Sequence, residues 1–395
     1  MVHRELGQQL DLYHIEEHSA GMIYWHPKGT KIFNAIQNYM RQVHEDHNYN
    51  EVRTPILVSK SLWETSGHWQ KFKENMFLVK VEDEATIKEM ALKAMSCPNH
   101  IELFDHTNRS YRELPMRYFE FGMVHRNESS GSMHGLMRVR NFTQDDCHII
   151  CRESQILEET KNYIEMLKKV YLHFGFDKFI VKLSTRPDNH FGSSEMWDKS
   201  ESALANACDS VGLSYEIQPN EAAFYGPKLE FTLFDNHGRP WQCGTIQLDY
   251  LLPSKERFNM KYTNEEGKDE QPVILHHAVL GSIERFIGIL LENTEGQLPL
   301  WLAPTQIAVV QVSEKSNEYA NMIYKQIQNN KLRVILDDSN DTLSSKIALH
   351  SSVKIPYIIV VGERDAIANT IAVRKFGDKK PTVMTLTDFL NSLTI

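Results

Sequence analysis

Residues 118–126 and 139–151 read as two long strands joined by a polar, glycine-containing loop, NESSGSMHG (127–135). A hairpin with arms of this length points to an antiparallel sheet. Side chains alternate between the faces of a strand. Arg138, Arg140, Phe142, Gln144, Asp146 and His148 therefore fall on one face of the second arm, and Arg126 and Glu128 share a face on the first. A solvated strand shows polar alternation for ordinary reasons. Yet two cations, an aromatic ring, an amide, a carboxylate and an imidazole in one row suit a ligand with phosphate, a flat ring and a polar head. An arginine holds a phosphoryl oxygen pair bidentately.

Around that hairpin, residues 30–47 form an amphipathic helix, with Ile32, Phe33, Ile36, Tyr39, Met40 and Val43 on one face. Residues 51–58 are extended and contain Pro55, which places them at a sheet edge or a subunit boundary. A second amphipathic helix spans 154–174 and stops at Gly175. Strands are predicted at 178–183, 228–234 and 241–250, and a helix at 278–292, with Ile283, Phe286, Ile287 and Leu290 on one side and Ser282 and Arg285 on another. A chain of 395 residues exceeds one ordinary core. Leu302-Ala303-Pro304 reads as the boundary, giving domains 1–301 and 302–395. Beyond it, short apolar strands at 307–312, 333–336, 357–361 and 371–376, the first three separated by helices at 316–329 and 343–353, predict a small α/β domain.

Hydrophobic residues are 41% and charged residues 24%, a globular composition without an apolar run long enough to span a membrane. The start, Met1-Val2-His3-Arg4-Glu5, lacks the basic-then-apolar layout of a secretion signal. Five scattered cysteines argue for a reducing compartment and against a disulfide framework. The net charge of −9 does not advertise nucleic-acid binding, so an RNA partner would have to meet local patches. Residues from 302 onward are more basic, with 11 Lys and Arg against 9 Asp and Glu. Cys97, His148 and His276 match no compact zinc spacing, and the C-x-x-H of Cys97-Pro98-Asn99-His100 is a pattern common by chance. Composition alone favours Cys97 as a small buried apolar residue. Arg285 and Lys228 fit a solvated surface as readily as a site. No P-loop or dinucleotide fingerprint is present, so a nucleotide would need a different kind of site.

Taken together these segments resemble the threonyl-tRNA synthetase family of class II aminoacyl-tRNA synthetases, from about residue 4 to residue 390. The stretch ending at Pro55, HRNESSGSMHGLMRVRNFTQDD (125–146) and GSIERF (281–286) resemble the three signature regions of the class. TSGHW (65–69), MSCPNH (95–100), AAFYGPKLEF (222–231) and WQCGTIQLDY (241–250) resemble segments particular to the threonine enzyme. The resemblance implies an α+β fold. An antiparallel-sheet catalytic domain flanked by helices would precede a small mixed-sheet anticodon-binding domain. It implies ATP-dependent activation of L-threonine and its transfer to tRNA(Thr) by a homodimer in the cytoplasm or an organellar matrix, without membrane attachment.

Residue by residue, the resemblance implies that Cys97, His148 and His276 hold one zinc ion that takes the amino group and hydroxyl of threonine. Magnesium accompanies ATP. Arg126 corresponds to the contact to the α-phosphate and Glu128 to the reader of the adenine amino group. Phe142 corresponds to the ring under adenine, and Arg138 and Arg285 to contacts to the outer phosphates. Gln242 and Thr245 correspond to ribose and nucleotide contacts. Asp146 corresponds to the acceptor of the threonine hydroxyl, with Tyr225 and Gln144 around the amino acid. Lys228 resembles the lysine that assists adenylate formation, and His68 the histidine near the terminal ribose of tRNA.

The chain also departs from the family pattern. Members usually carry two N-terminal domains, one of which hydrolyses seryl-tRNA, and this sequence is expected to begin after them. Ala94 and Asn99 stand where Pro and Gly are usual. In NDTLSSKIALHSSVKIPY (340–357), where members carry several arginines, only Lys346 and Lys354 are basic. That departure leaves room for a paralogue that activates threonine for another acceptor or for inhibitor resistance. A catalytically silent regulatory or RNA-binding protein is a further reading, and intact Arg126, Glu128, Arg285 and the zinc set argue against it. A zinc hydrolase lacks a recognisable general base.

Overall fold

The computed structural model describes residues 2–83 and 86–393; Met1 of the start segment read above lies outside them. The chain divides into two compact units. One comprises Ile15–Ile23 and Tyr39–Leu290, the other Met1–His14, Tyr24–Asn38 and Leu291–Ile395.

The larger unit is built on an eight-stranded sheet. Its strands run in the order Glu216–Gln218, Ile180–Ser184, Lys228–Phe234, Pro240–Asp249, Val273–Ala278, Asn141–Cys151, Met116–His125 and Asn50–Glu51. All neighbours are antiparallel except the outermost pair at each end. The expected hairpin forms the sixth and seventh strands in that order, with Tyr118 opposite His148 and Val124 opposite Phe142. Asn50–Glu51 is the edge strand, and Pro55 lies outside any strand.

One face of this sheet is apolar. Cys147, Ile149, Phe231, Ile246, Leu248 and Leu275 are all buried. Helix Ile156–His173 covers it with Ile156, Tyr163, Leu167, Val170 and Tyr171, which recur at helical spacing. Its two tyrosine hydroxyls satisfy otherwise orphaned carbonyls, Tyr163 donating to Ala278 O at 2.9 Å and Tyr171 to Val279 O at 3.0 Å. The opposite face is polar, and the register sets it out in a row across four strands. Lys228 faces Gln247, Gln247 faces His276, and His276 faces His148.

The helix expected at 278–292 begins only at Ile283. Ala278 ends a strand, and the turn between is fixed by the buried Asp145 carboxylate. It accepts the backbone N–H groups of Val279, Leu280 and Gly281 at 2.8, 2.9 and 2.8 Å. Gly281 has φ +74° and a Cβ there would sit 2.7 Å from Cys243 O, so the turn requires glycine. Beside the main sheet lies a three-stranded sheet containing Leu57–Ser59, Leu78–Asp83 and Thr86–Leu92, with short helices Lys60–Thr65 and His68–Phe72.

The other unit holds a five-stranded mixed sheet, ordered Val334–Asp337, Ile307–Gln311, Tyr357–Val361, Ile371–Lys375 and Thr382–Met384. The first three strands are parallel and the last two antiparallel. Ile307, Val309, Ile323, Ile359 and Phe389 pack on one side, Ala308, Val310, Ile355 and Ile358 on the other. Strand Thr382–Met384 and helices Glu363–Ala368 and Leu386–Ser392 were not anticipated. Among the described residues no helix is long and apolar enough to cross a membrane.

Candidate active site

The polar face of the eight-stranded sheet forms the floor of two cavities that share Arg126, Gln144, Gln242 and Thr245. The first, about 160 Å³, is also lined by Glu128, Arg138, Phe142 and Arg285. Arg126 follows the first hairpin arm, and its guanidinium lies over the rings of Phe72 and Phe142, at 5.7 and 5.3 Å. Burial lowers its pKa, while the carboxylates of Asp146 and Glu128 oppose that shift. Arg285 projects from the first turn of helix Ile283–Asn293. Its Nε donates to Met137 O at 2.8 Å and its Nη1 to Gln242 O at 2.9 Å. Arg138 Nε donates to Glu128 at 3.0 Å, and Gln242 Nε2 to Thr245 Oγ1 at 2.8 Å. Arginines in this setting are aimed at a space that can take an anion.

Arg140 leaves the row in which strand alternation put it. The regular strand starts at Asn141. The guanidinium of Arg140 instead holds the Glu128 carbonyl at 2.8 Å, so it shapes the loop.

The second cavity, about 230 Å³, adds Cys97, Asp146, His148, Tyr225, Lys228, Gln247 and His276. Asp146 is 8% exposed, and burial raises its pKa. Lys228 Nζ pairs with Glu230. Tyr225 is buried, which raises its phenol pKa. His68 does not line either cavity but stands behind it, its ring 6.2 Å from that of Tyr225. Its Nδ1 is bonded to Ser66 Oγ at 2.8 Å, while Nε2 is buried without a hydrogen-bond partner. Burial, then the neighbouring His276, Arg126 and Arg257, lower its pKa to about 3, so the ring is neutral.

At the inner end of this cavity Cys97, His148 and His276 converge, with one ligand atom from each lying within 4.8 Å of the others. Cys97 opens helix Cys97–Asp105, and the two histidines are cross-strand neighbours. All three are buried. The far nitrogen of each imidazole is already engaged, His148 Nδ1 with His100 Nδ1 at 2.8 Å and His276 Nε2 with Asp249 Oδ2 at 2.8 Å. Burial pushes the pKa of His148 well down and that of the Cys97 thiol well up. A thiol and two imidazoles, each ring with one nitrogen to spare, form a donor set that fits a zinc ion with a remaining position for a ligand.

Four residues that support this arrangement were missed in the sequence. His100 was present only as the second half of the C-x-x-H pattern. Asp249 ends the WQCGTIQLDY segment. Asp145 alternates out of the polar row. Glu284 precedes Arg285 and accepts the Thr143 backbone N–H at 2.9 and 3.1 Å.

Residues 77–294 match the family model of the tRNA synthetase class II core domain (G, H, P, S and T), and residues 306–394 that of the anticodon binding domain. A threonine--tRNA ligase of Gluconobacter oxydans (strain 621H) is 49% identical over 391 residues, 99% of this chain and 60% of that protein. One of Herminiimonas arsenicoxydans is 50% identical over 382 residues, 97% of this chain and 59% of that protein. The chain thus spans about 60% of the length of the curated relatives it matches. The solved structure of the RNA binding domain of threonyl-tRNA synthetase from Cryptosporidium parvum Iowa II superposes with a TM-score of 0.94 at 40% identity, covering 99% of this chain and 97% of that one.

Proposed function

Because the chain belongs to the threonyl-tRNA synthetase family of class II aminoacyl-tRNA synthetases, we propose that it activates L-threonine with ATP and transfers it to tRNA(Thr). The observation that carries this reading is the Cys97, His148 and His276 cluster in the same cavity as Asp146 and Arg126. It joins a site for a small polar amino acid to one for a phosphate.

In this reading Cys97, His148 and His276 would hold zinc, which would supply a Lewis-acidic anchor for the polar groups of threonine. Asp146 accepts the threonine hydroxyl proton in a hydrogen bond, and Tyr225 and Gln144 bound the rest of the amino acid. Its carboxylate then points along the cavity toward Arg126. Phe142 supports the adenine ring, Glu128 accepts from the adenine amino group, and Gln242 and Thr245 meet the ribose. Arg126 stabilises charge on the α-phosphoryl oxygens as the carboxylate attacks and pyrophosphate leaves, with Arg138 and Arg285 on the outer phosphates. Lys228 assists on the same side. A divalent ion such as magnesium accompanies ATP. His68, whose buried Nε2 has no hydrogen-bond partner among the described residues, would offer a hydrogen bond near the tRNA terminal ribose in the transfer step. Residues 1–301 would carry this chemistry and residues 302–395 the contact to the anticodon arm, in a homodimer of the cytoplasm or an organellar matrix.

The test is to incubate the protein with ATP and each amino acid, with and without tRNA, and to measure pyrophosphate exchange and aminoacyl-tRNA separately. Threonine-dependent exchange and threonylation are expected. Absence of exchange overturns the reading. Cys97→Ser should lose metal and threonine activation together, and full zinc occupancy in that variant would overturn the ligand assignment.

A further inference from the structure

Behind His148 lies a buried chain of polar groups that the proposed reaction does not use. His100 Nδ1 is 2.8 Å from His148 Nδ1, and His100 Nε2 is 3.2 Å from Glu120 Oε2. Glu120 accepts two further contacts on its other oxygen, from the Thr54 backbone N–H at 2.9 Å and Lys93 Nζ at 3.0 Å. Thr54 Oγ1 donates to Oε2 at 2.8 Å. Lys93, His100 and Glu120 are 1, 0 and 5% exposed. Four polar side chains, His148, His100, Glu120 and Lys93, have thus been taken out of water with the half-buried Thr54 beside them, a costly arrangement unless every member is satisfied.

We propose that His100 and Glu120 are positioning residues for the metal site, fixing which nitrogen of His148 faces Cys97 and His276. This rests on the zinc reading above. The reasoning is one of donors and acceptors. An ionised carboxylate can only accept, so His100 Nε2 carries the hydrogen that meets Glu120. A neutral imidazole has one N–H, so His100 Nδ1 is then an acceptor. His148 must donate from Nδ1, and its lone pair is left on Nε2. Reversing any step would put an N–H of His148 where the metal must bind. His148 stands nearly perpendicular to both His100 and His276, at 82° in each case with centroids 4.6 and 4.7 Å apart.

Glu120 is suited to anchor the chain because it stays charged. Burial alone would raise its pKa, but the hydrogen bonds from His100 and Thr54 and the charge of Lys93 bring it down to about 2. His276 reaches a carboxylate directly through Asp249, whose other oxygen is held by the backbone N–H groups of Leu251 and Leu252 at 2.7 and 3.0 Å. His148 reaches its carboxylate through one further ring. Outer partners of this kind are typically worth about 10–100-fold in metal affinity.

The test compares the parent with His100→Phe and His100→Gln, measuring zinc release to a competing chelator alongside chemical denaturation. Phenylalanine fills the space and cannot accept from His148. Glutamine has an oxygen to accept from His148 and an amide to donate to Glu120. The expected result is zinc affinity about 10–100-fold weaker in His100→Phe, with much of the loss restored in His100→Gln at matched unfolding midpoints. Equal zinc retention in a folded His100→Phe overturns the proposal while leaving the zinc reading standing. A parent protein that holds no zinc overturns both. If His100→Phe does not fold, Glu120→Gln takes its place, because the isosteric amide can present an N–H to His100 and so undo the hydrogen order without changing volume. Unchanged zinc retention there also overturns the proposal.

Discussion

The Asp145 carboxylate accepts the backbone N–H of Gly281 at 2.8 Å, tying the strand that carries Gln144, Asp146 and His148 to the turn that launches Arg285. The same carboxylate holds Val279 and Leu280. Asp145→Ala would orphan three buried N–H groups, and leaving one buried donor unsatisfied costs about 1–3 kcal/mol. A loss of stability of at least about 3 kcal/mol is expected on that basis, read by denaturant unfolding. Asp145→Asn retains an acceptor oxygen and should lose less. A smaller loss for alanine than for asparagine would contradict this account.

Arg126 and Arg285 enter the smaller cavity from a strand end and from a helix. Replacing either with alanine should slow threonine-dependent pyrophosphate exchange by about 100- to 1,000-fold, through lost charge stabilisation at phosphorus. Exchange near the parent rate in both variants would show that these arginines do not act on the transferring phosphate.

Serine keeps the amino and hydroxyl groups that threonine would present to a metal and to Asp146 in the proposed site, and lacks one methyl. A single small apolar group is worth roughly 10–200-fold in discrimination. Serine should therefore support pyrophosphate exchange at a rate reduced by about that factor. Valine, without the hydroxyl, should remain near background. Valine activated as well as serine would show that the Asp146 side of the cavity does not read the hydroxyl.

Of the two cations in segment 340–357, Lys346 is not available to RNA. It is 3% exposed, with Nζ donating to Gln311 O at 3.2 Å and lying 3.8 Å from Asp337. Lys354 alone remains, and arginine is the usual reader of guanine edges. Charging of anticodon-mutated tRNA transcripts should fall less steeply than in typical family members. Lys346→Ala should lower the unfolding midpoint without changing the salt dependence of tRNA binding, since it removes no phosphate contact. A shallower salt slope in that variant would place Lys346 at the RNA.

Asp337 also meets His350 Nε2 at 2.6 Å and Ser339 Oγ at 2.7 Å. Burial acts to raise its pKa, but these hydrogen bonds prevail and hold it below the ordinary value of 3.8. A depressed carboxyl adds stability above its unfolded pKa and loses it as pH falls through the folded one. Denaturation of the parent and Asp337→Asn between pH 7 and pH 2 should therefore converge at the acid end, below about 4. A constant gap across that range would exclude the linkage.

How much of this was legible depended on the range of the interaction. The alternating segment 228–234 and the apolar run 357–361 carry their strand signal locally and appear as strands with those bounds. The start of the helix at Ile283 was misplaced because its limit is set by Asp145, more than a hundred residues away. Arg140 alternated correctly only if the strand reached it, and the strand begins one residue later. Cys97, His148 and His276 could be grouped by resemblance, but spacing gave no reason to join them. Their meeting depends on cross-strand register, which a single sequence does not display. The role of His100 is hidden for the same reason, as it sits on a helix and its partners Glu120 and His148 lie on two strands far along the chain.

The alignment of Lys228, Gln247, His276 and His148 across four strands makes the sheet a ruler for the site. Adjacent strands stand about 4.8 Å apart and same-face neighbours along a strand lie about 6.8 Å apart. Side chains on this face can therefore occupy only the nodes of a coarse lattice. A site residue cannot drift by one position, because that sends it through the sheet into the apolar layer under helix Ile156–His173. Variation in the pocket must come instead from the chemistry at each node, or from the helices and loops that approach from outside, such as the one that brings Cys97.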